Sequence, residues 1–194
     1  YVDLVMIRMH EHQEVVKFAQ NSSIPVINGL TNYAHPCQVL GDLLTIVEKK
    51  GRLQGLKLAY FGDGCNNVTH SLMMGCTKVG MHVAVACPKG KDYAPLPEVL
   101  KEAKTWARKT GGSITVTQQP EEAIEDADIV YTDSWMSYRV PKSQLKKRLK
   151  IFKPYQVTKK LFAKSPKAIF MHCLPAWRGH EVTAEVIDSK RSIV

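Results

Sequence analysis

Short apolar runs rich in β-branched and aromatic residues alternate with helical stretches along this chain of 194 residues. From residue 56 onward, each such run is followed by a segment whose apolar residues recur at helical spacing. Strands that alternate with helices form parallel sheets with helices packed on both faces. The sequence therefore predicts an α/β fold with a doubly wound, mostly parallel, Rossmann-like sheet, whose five strands are expected at 56–62, 82–88, 113–118, 127–133 and 168–174.

The first part of the chain predicts a second, incomplete α/β unit. Its strand, helix and second strand fill residues 1–34, and its first strand reads as though it already lay inside a fold with residues missing upstream. A helix that begins at Pro36 is predicted to end near Gly51. We expect 1–34 to close an upstream domain, 35–55 to connect the domains, and 56–194 to form the main domain; the apolar face of the connecting helix is predicted from Val39, Leu40, Leu43, Leu44 and Val47.

Composition excludes several classes of protein. An apolar content of 44% excludes a largely disordered chain, and no apolar run is long enough to span a bilayer. Five cysteines without framework spacing favour reduced thiols in the cytoplasm or the mitochondrial matrix. The net charge of +9 raises the alternative of a non-catalytic module that binds anions or nucleic acid, but the dense basic run at 142–150 favours a solvated helix face and makes nucleic acid a weak candidate.

The turn Gly62-Asp63-Gly64 follows a predicted strand and precedes a predicted helix. A dinucleotide-binding loop requires a third glycine where Asn67 stands, and no acidic residue ends the next strand to hold a ribose. The turn is left with two interpretations: a tight connection without a ligand, or a helix start whose Asn66 and Asn67 bind a zwitterion. No cofactor is expected, and without Cys-x-x-Cys or His-x-x-x-His pairs no metal is expected.

Three further segments carry polar side chains at the ends of predicted elements, one at the start of a helix and two at the ends of strands. His35 is predicted to cap the helix that starts at Pro36, where a neutral imidazole and the nearby Gln38 can bond a carbonyl group, although a simple cap explains it equally. Asp133 follows a strand and suits an ammonium group or a helix cap. His172 and Cys173 end a strand. Because neighbouring side chains in a strand point to opposite faces, these two residues are not expected to form a catalytic Cys-His pair. The bond from Leu174 to Pro175 is a candidate cis bond.

Taken together and in order, these segments resemble the aspartate/ornithine carbamoyltransferase family over essentially the whole chain. The resemblance is carried by His35-Pro36-Cys37-Gln38, Gly62-Asp63-Gly64-Cys65-Asn66-Asn67, Asp133-Ser134-Trp135-Met136-Ser137 and His172-Cys173-Leu174-Pro175. The last of these is typical of the ornithine branch of the family.

The resemblance implies transfer of a carbamoyl group from carbamoyl phosphate to the side-chain amine of L-ornithine, giving citrulline and phosphate in arginine metabolism without cofactor or metal. It assigns 1–34 to the carbamoyl phosphate domain and 56–194 to the ornithine domain. It also implies a homotrimer with active sites between subunits. The catalytic residues that the resemblance implies are His35 and Gln38, which contact the carbamoyl group, and Cys173. The implied substrate-binding residues are Arg8 for carbamoyl phosphate, Asn67, Asp133, Ser137 and Tyr138 for ornithine, and Cys173 and Leu174 beside the reacting groups.

Two departures from the family pattern shape our expectations. The Ser-x-Arg-Thr phosphate loop of the family is expected upstream of Tyr1, and a closing segment after Val194, so the 194-residue chain alone is expected to be inactive. Ser137-Tyr138-Arg139 stands where most of the ornithine branch has Ser-Met-Gly. Because that loop closes over the amine in the family, a carbamoyltransferase for another amine such as putrescine is the alternative within the family.

Overall fold

The computed structural model describes residues 2–136 and 140–194. It contains seven strands and eight helices within those residues, besides short 3₁₀ turns. The strands are β1 (Val5–Arg8), β2 (Val26–Leu30), β3 (Lys57–Phe61), β4 (His82–Ala86), β5 (Ser113–Thr117), β6 (Ile129–Thr132) and β7 (Ile169–His172). The helices are α1 (His12–Gln20), α2 (Pro36–Lys50), α3 (Asn67–Lys78), α4 (Pro97–Thr110), α5 (Pro120–Ile124), α6 (Leu145–Phe152), α7 (Lys159–Phe162) and α8 (Ala184–Ile187).

The five strands from β3 to β7 form one parallel sheet in the order β5-β4-β3-β6-β7. One face packs on α2, α3 and α4 through side chains such as Tyr60 and Tyr131, and the other packs on α5 to α8 through side chains such as Phe61 and Phe170. The doubly wound α/β fold predicted from the sequence is confirmed. The strands β1 and β2 form a separate parallel pair, and the division of the chain into domains stays a prediction.

Helix α2 joins the two sheets and begins and ends as the sequence predicts. His35 is its N-cap residue, Pro36 occupies the first turn, and Gly51 ends it in the left-handed conformation with φ of 74°. A residue without a side chain adopts that conformation at no steric cost, which is why glycine is common there.

The predicted apolar face of α2 is divided in the structure. Val39 and Leu43 are buried, and they pack with Ile46 against α3, whereas Leu40 and Leu44 are more than 60% exposed, at 65% and 61%. Periodicity alone does not tell how wide a strip of helix its neighbours cover. At the chain end, Ser192 forms one isolated parallel bridge with Phe170 of β7.

Two glycines inside helices test the packing of α2 on α3. A Cβ atom on Gly75 of α3 would lie 2.8 Å from Val39 Cγ2, whereas one on Gly41 of α2 meets nothing within 4 Å. We expect Gly75→Ala to lower the free energy of unfolding by about 1–3 kcal/mol, because overpacking outweighs the helix propensity of alanine. Gly41→Ala is the matched control and should raise it by roughly 0.5–1 kcal/mol. Urea denaturation measures both; equal stabilisation by the two substitutions would contradict this packing.

Candidate active site

A cleft of about 470 Å³ lies at the carboxyl ends of β3, β6 and β7, where ligands bind in open α/β sheets. It also borders the end of β1 and the start of α2. Seven side chains predicted from the sequence line it: Arg8, His35, Gln38, Asn67, Asp133, Cys173 and Leu174. The structure therefore brings these seven together, while the ligand that each one binds stays a prediction. Ser137 and Tyr138, the other two predicted residues, lie outside the described residues.

Strand register places Asp133 at the centre of the cleft. Phe61 of β3 pairs with Thr132 of β6, which pairs in turn with His172 of β7, so the three strands end level with one another. The next residue after β6 is Asp133 and the next after β7 is Cys173, and the Cys173 thiol donates to Asp133 Oδ1 at 3.0 Å.

Asp133 is a carboxylate with neutral donors around it. Besides the Cys173 thiol, it accepts hydrogen bonds from the Ser134 amide at 2.6 Å and from Asn66 Nδ2 at 3.3 Å. Burial raises the pKa of Asp133, against the opposing effect of the hydrogen bonds from Cys173 and Ser134. Among the described residues no cation forms an ion pair with it. A partly buried carboxylate in this state binds a cationic ligand favourably, because the ligand supplies the missing charge.

Cys173 remains a protonated thiol at neutral pH. Burial and the neighbouring Asp133 carboxylate both raise the pKa of this thiol far above its ordinary range. The thiolate is the nucleophilic form of cysteine. The environment of Cys173 thus suits a hydrogen-bond donor and opposes a covalent role.

The neighbouring His172 points away from the cleft. Its Nδ1 accepts the Leu174 amide at 2.8 Å, so the ring hydrogen lies on Nε2, which donates to Glu181 Oε1 at 3.3 Å. The Trp177 amide donates to the same Glu181 oxygen at 2.5 Å. These bonds tie the turn after β7 to the segment before α8. Sequence reasoning did not find Glu181, since nothing in its local pattern marks a buried carboxylate.

Leu174 extends the same turn into the cleft with an unusual backbone. It has φ of 56°, a conformation that leucine rarely adopts, and the bond to Pro175 is cis, as the sequence suggested.

The opposite wall of the cleft is basic and comes from β1 and the start of α2. Arg8 ends β1, and His35 lies at the N-terminus of α2 with its Nδ1 buried and without a hydrogen-bond partner among the described residues. Burial, and secondarily the Arg8 guanidinium, lower the pKa of His35. His35 is therefore neutral at pH 7 and offers one N–H donor and one nitrogen acceptor. Gln38, one turn further along, directs its amide nitrogen to Asp42 Oδ1 at 3.0 Å.

The start of α3 separates the roles of the two asparagines. Asn66 is the N-cap, since its Oδ1 accepts the Thr69 amide at 2.7 Å. Asn67 follows it, lines the cleft and donates from Nδ2 to the Thr31 carbonyl at 2.7 Å. Before them, the tight turn needs Gly64, because a Cβ atom there would lie 2.7 Å from the Tyr93 carbonyl oxygen.

A buried ion pair joins that turn to α6. Asp63 Oδ2 accepts from Arg148 Nη2, and Arg148 Nε donates to the Trp135 carbonyl at 2.6 Å. Burial raises the pKa of Asp63, while Arg148 opposes the rise. The interpretation of 142–150 as a solvated face is therefore wrong for Arg148, which is buried, although Lys146, Lys147 and Lys150 are exposed. The spacing of charged residues within a helix does not show that one arginine points into the protein, because the carboxylate that it pairs with is distant in sequence.

The described residues 2–136 and 140–194 contain no group of three or more metal-ligating side chains. Over the same residues, no helix combines the length and apolar character required to traverse a bilayer.

The chain is similar to known proteins over its whole length. Residues 54–194 match the family described as aspartate/ornithine carbamoyltransferase, Asp/Orn binding domain, and residues 1–48 match its carbamoyl-P binding domain. Ornithine carbamoyltransferases of Anoxybacillus flavithermus and Thermococcus kodakarensis are 54% and 51% identical over 195 residues, which cover 100% of this chain and 61% of each relative. The solved ornithine carbamoyltransferase from Pyrococcus furiosus has a TM-score of 0.94 at 48% identity, covering 100% of this chain and 61% of that one. The chain thus spans about 61% of the length of these relatives.

The ion pair between Asp63 and Arg148 makes a specific stability prediction. Arg148→Met should lower the free energy of unfolding by about 3–5 kcal/mol, because it leaves Asp63 buried and uncompensated. Adding Asp63→Asn to that variant should recover part of the loss. Arg178, paired with Asp188 at 2.6 Å on the exposed surface, is the control, and Arg178→Met should have a much smaller effect. Chemical denaturation compares the variants; equal losses at Arg148 and Arg178 would argue against a buried pair.

Proposed function

Because the chain belongs to the aspartate/ornithine carbamoyltransferase family, we propose that the protein transfers the carbamoyl group of carbamoyl phosphate to the side-chain amine of L-ornithine. The products are citrulline and phosphate. The observation that carries this proposal is the charge arrangement of one cleft, which has Arg8 on one wall and the carboxylate of Asp133, without an ion-pair partner among the described residues, on the other. An anionic donor and a cationic amino acid fit opposite sides of such a cleft.

The basic wall suits carbamoyl phosphate. Arg8 supplies a permanent positive charge for the phosphate or the carbonyl oxygen next to it. His35, neutral because its pKa is lowered, donates one hydrogen bond to the carbonyl oxygen without adding a second charge. Gln38 lies beside it for the amide end of the carbamoyl group. Donors aimed at an oxygen that becomes negatively charged in the transition state stabilise that state.

The acidic wall suits the amino-acid part of ornithine. Asp133 receives the α-ammonium group in a charge-assisted hydrogen bond. The α-carboxylate lies toward Asn67 at the N-terminus of α3, where the helix dipole favours an anion. Cys173 and Leu174 then border the side chain of the substrate at the turn after β7.

The reaction proceeds by direct attack within this arrangement. The deprotonated side-chain amine attacks the carbamoyl carbon, a C–N bond forms, and the C–O bond to phosphate breaks as phosphate leaves with the bonding electrons. The attacking nitrogen becomes positively charged as the C–N bond forms, and it loses one proton, which the departing phosphate accepts. The contribution of the cleft is to hold the amine and the carbon in line, which removes most of the entropic barrier of a two-substrate reaction.

The homotrimer and the cytoplasmic or mitochondrial-matrix location remain parts of this proposal. Large apolar side chains are exposed on β1, β2 and α2, notably Met6, Ile27 and Leu40, and an assembled protein would cover such a surface. The five cysteines are all free thiols, which suits a reducing compartment.

Neither alternative is favoured by the comparisons or the cleft. A nucleic-acid or anion-binding module would present its basic groups outward, yet Arg148 is turned inward to Asp63. A putrescine-specific site has no need for an anion partner at the start of α3.

Removing the charge of Asp133 tests the ornithine side of the cleft. In the protein at its full natural length, Asp133→Asn should raise the KM for ornithine about 10- to 100-fold and largely spare that for carbamoyl phosphate, because a charge-assisted hydrogen bond of about 1.5–3 kcal/mol is lost. Asp92→Asn is the control, since Asp92 is exposed at the same cleft and its charge has no assigned contact. Steady-state kinetics decide; a raised KM for carbamoyl phosphate alone would reverse the assignment.

Substrate choice tests the position of the α-carboxylate. Ornithine should be preferred over putrescine by at least about tenfold in kcat/KM, which needs only about 1.4 kcal/mol from the carboxylate that putrescine lacks. Asn67→Ala should shrink that preference by lowering the value for ornithine more than that for putrescine. The two amines are compared at a fixed concentration of carbamoyl phosphate. Equal or better use of putrescine would overturn the ornithine assignment and leave family membership intact.

A further inference from the structure

Asp42 is a buried carboxylate behind the residues that line the cleft. It lies in α2, one turn after Gln38, and is 5% exposed. Gln38 Nε2 donates to its Oδ1 at 3.0 Å, and the Tyr131 hydroxyl donates to its Oδ2 at 3.0 Å. No ion pair compensates it among the described residues.

We propose that Asp42, held by Tyr131, is a positioning residue that fixes Gln38 with its amide carbonyl toward the cleft, where that carbonyl accepts a hydrogen bond from the NH₂ group of the substrate. This inference rests on the proposed function, since the substrate NH₂ is that of carbamoyl phosphate. Asp42 acts through Gln38 and does not touch the substrate.

The argument depends on which hydrogen bonds each group is able to make. An ionised carboxylate only accepts hydrogen bonds, whereas the side-chain amide of glutamine donates through nitrogen and accepts through oxygen. Since Asp42 engages the nitrogen of Gln38, the oxygen of that amide is left for the other side, which lines the cleft. The orientation of a glutamine amide is set by such partners.

The cleft needs an acceptor at this place. A carbamoyl group presents one carbonyl oxygen and one NH₂ group, so it requires donors and an acceptor together. The Arg8 guanidinium only donates. Neutral His35 has one donor, which serves the carbonyl oxygen, and one acceptor nitrogen on the same ring, which cannot reach the NH₂ group at the other side of the carbamoyl carbon at the same time. Gln38 with its oxygen toward the cleft supplies the acceptor, and with its nitrogen toward the cleft it would repel the substrate NH₂.

The ionised carboxylate is unfavourable for the fold. Burial raises the pKa of Asp42 to about 6, although the bonds from Gln38 and Tyr131 lower it. Between its ordinary value near 4 and about 6, the folded state binds more protons than the unfolded state, so this residue reduces stability as the pH rises through that window. The titratable groups that face Asp42 are Tyr131, Cys76 and Cys173, whose pKa values are all raised, so they stay neutral near pH 6. A charge with this effect is more readily explained by function than by stability.

An isosteric variant distinguishes positioning from packing. In Asp42→Asn, Tyr131 still donates to the Asn oxygen, because the Tyr131 hydroxyl is buried and donates to no other acceptor among the described residues. The Asn nitrogen then faces Gln38 and forces the Gln38 nitrogen toward the cleft. We expect kcat/KM for carbamoyl phosphate to fall about 10- to 100-fold, because the hydrogen bond from the substrate NH₂ group to Gln38 is replaced by a contact between two donors, that NH₂ group and the Gln38 nitrogen.

The double variant Asp42→Asn with Tyr131→Phe separates a positioning role of Asp42 from a structural one. Positioning predicts that the second substitution restores activity, whereas a structural role predicts a further loss. Without the Tyr131 hydroxyl, the Asn side chain is able to turn its oxygen to Gln38 and restore the orientation. The double variant should therefore recover at least about fivefold over Asp42→Asn alone, whereas Tyr131→Phe alone should lose less than Asp42→Asn. A double variant as impaired as the single one, or a twofold loss or less in Asp42→Asn, would overturn the proposal.

Stability and pH provide readouts that packing alone would not move. At pH 7.5, Asp42→Asn should unfold at no lower urea concentration than the wild type, because a buried charge is removed. Should Asp42→Asn fold poorly, Tyr131→Phe decides on its own. Loss of the Tyr131 bond raises the pKa of Asp42 further, so the acid limb of kcat/KM for carbamoyl phosphate should move to higher pH, and an unmoved limb would refute positioning by Asp42.

Failure of the proposed function would be separately visible. Calorimetry measures the dissociation constant of carbamoyl phosphate on the same full-length variants without any amine. Asp42→Asn should bind carbamoyl phosphate most weakly, and Tyr131→Phe and the double variant should bind it more tightly than Asp42→Asn. A wild-type protein that binds carbamoyl phosphate but does not carbamoylate ornithine would refute the proposed reaction. The role of Asp42 would then be tested by the dissociation constants of carbamoyl phosphate alone. A wild type that does not bind carbamoyl phosphate would overturn both.

Discussion

The backbone hydrogen bonds that align β3, β6 and β7 determine where the groups on the acidic wall of the cleft lie. Phe61, Thr132 and His172 form one row across the three strands, so the residues that follow them leave the sheet at the same level. Asp133 follows the middle strand and is therefore within reach of Asn66 on one side and Cys173 on the other. Because side chains alternate along a strand, a shift of one residue in β6 would turn Asp133 out of this position.

Three carboxylates around the cleft, two buried and one partly exposed to it, differ in how their charge is compensated. The charge of Asp63 is compensated by the full positive charge of Arg148. This ion pair joins the turn after β3 to α6 and makes this part of the cleft electrically neutral. Asp42 has only the neutral donors Gln38 and Tyr131. Asp133 has neutral donors and faces the cleft, so a cationic ligand is its natural counterion. The first carboxylate is suited to architecture, the second to orientation and the third to binding.

Local patterns predicted the sheet and the edge where the cleft lies. Alternating strands and helices imply a parallel sheet, and the polar residues after its strands, Asp133 among them, converge at one edge whatever the details of packing. The buried partners escaped prediction because each joins distant parts of the chain: Asp63 and Arg148 are 85 residues apart, and Asp42 and Tyr131 are 89 apart. An aspartate within an apolar helix was visible in the sequence, but whether it faces solvent or a tyrosine depends on how α2 packs on the sheet.

The hydrogen bond between Cys173 and Asp133 has a consequence for chemical damage. Oxidants and alkylating agents attack the thiolate, and the carboxylate beside Cys173 keeps its sulfur protonated even though the residue borders an open cleft. The contact that orders this edge of the sheet therefore also makes a cleft-lining cysteine a poor target for peroxide.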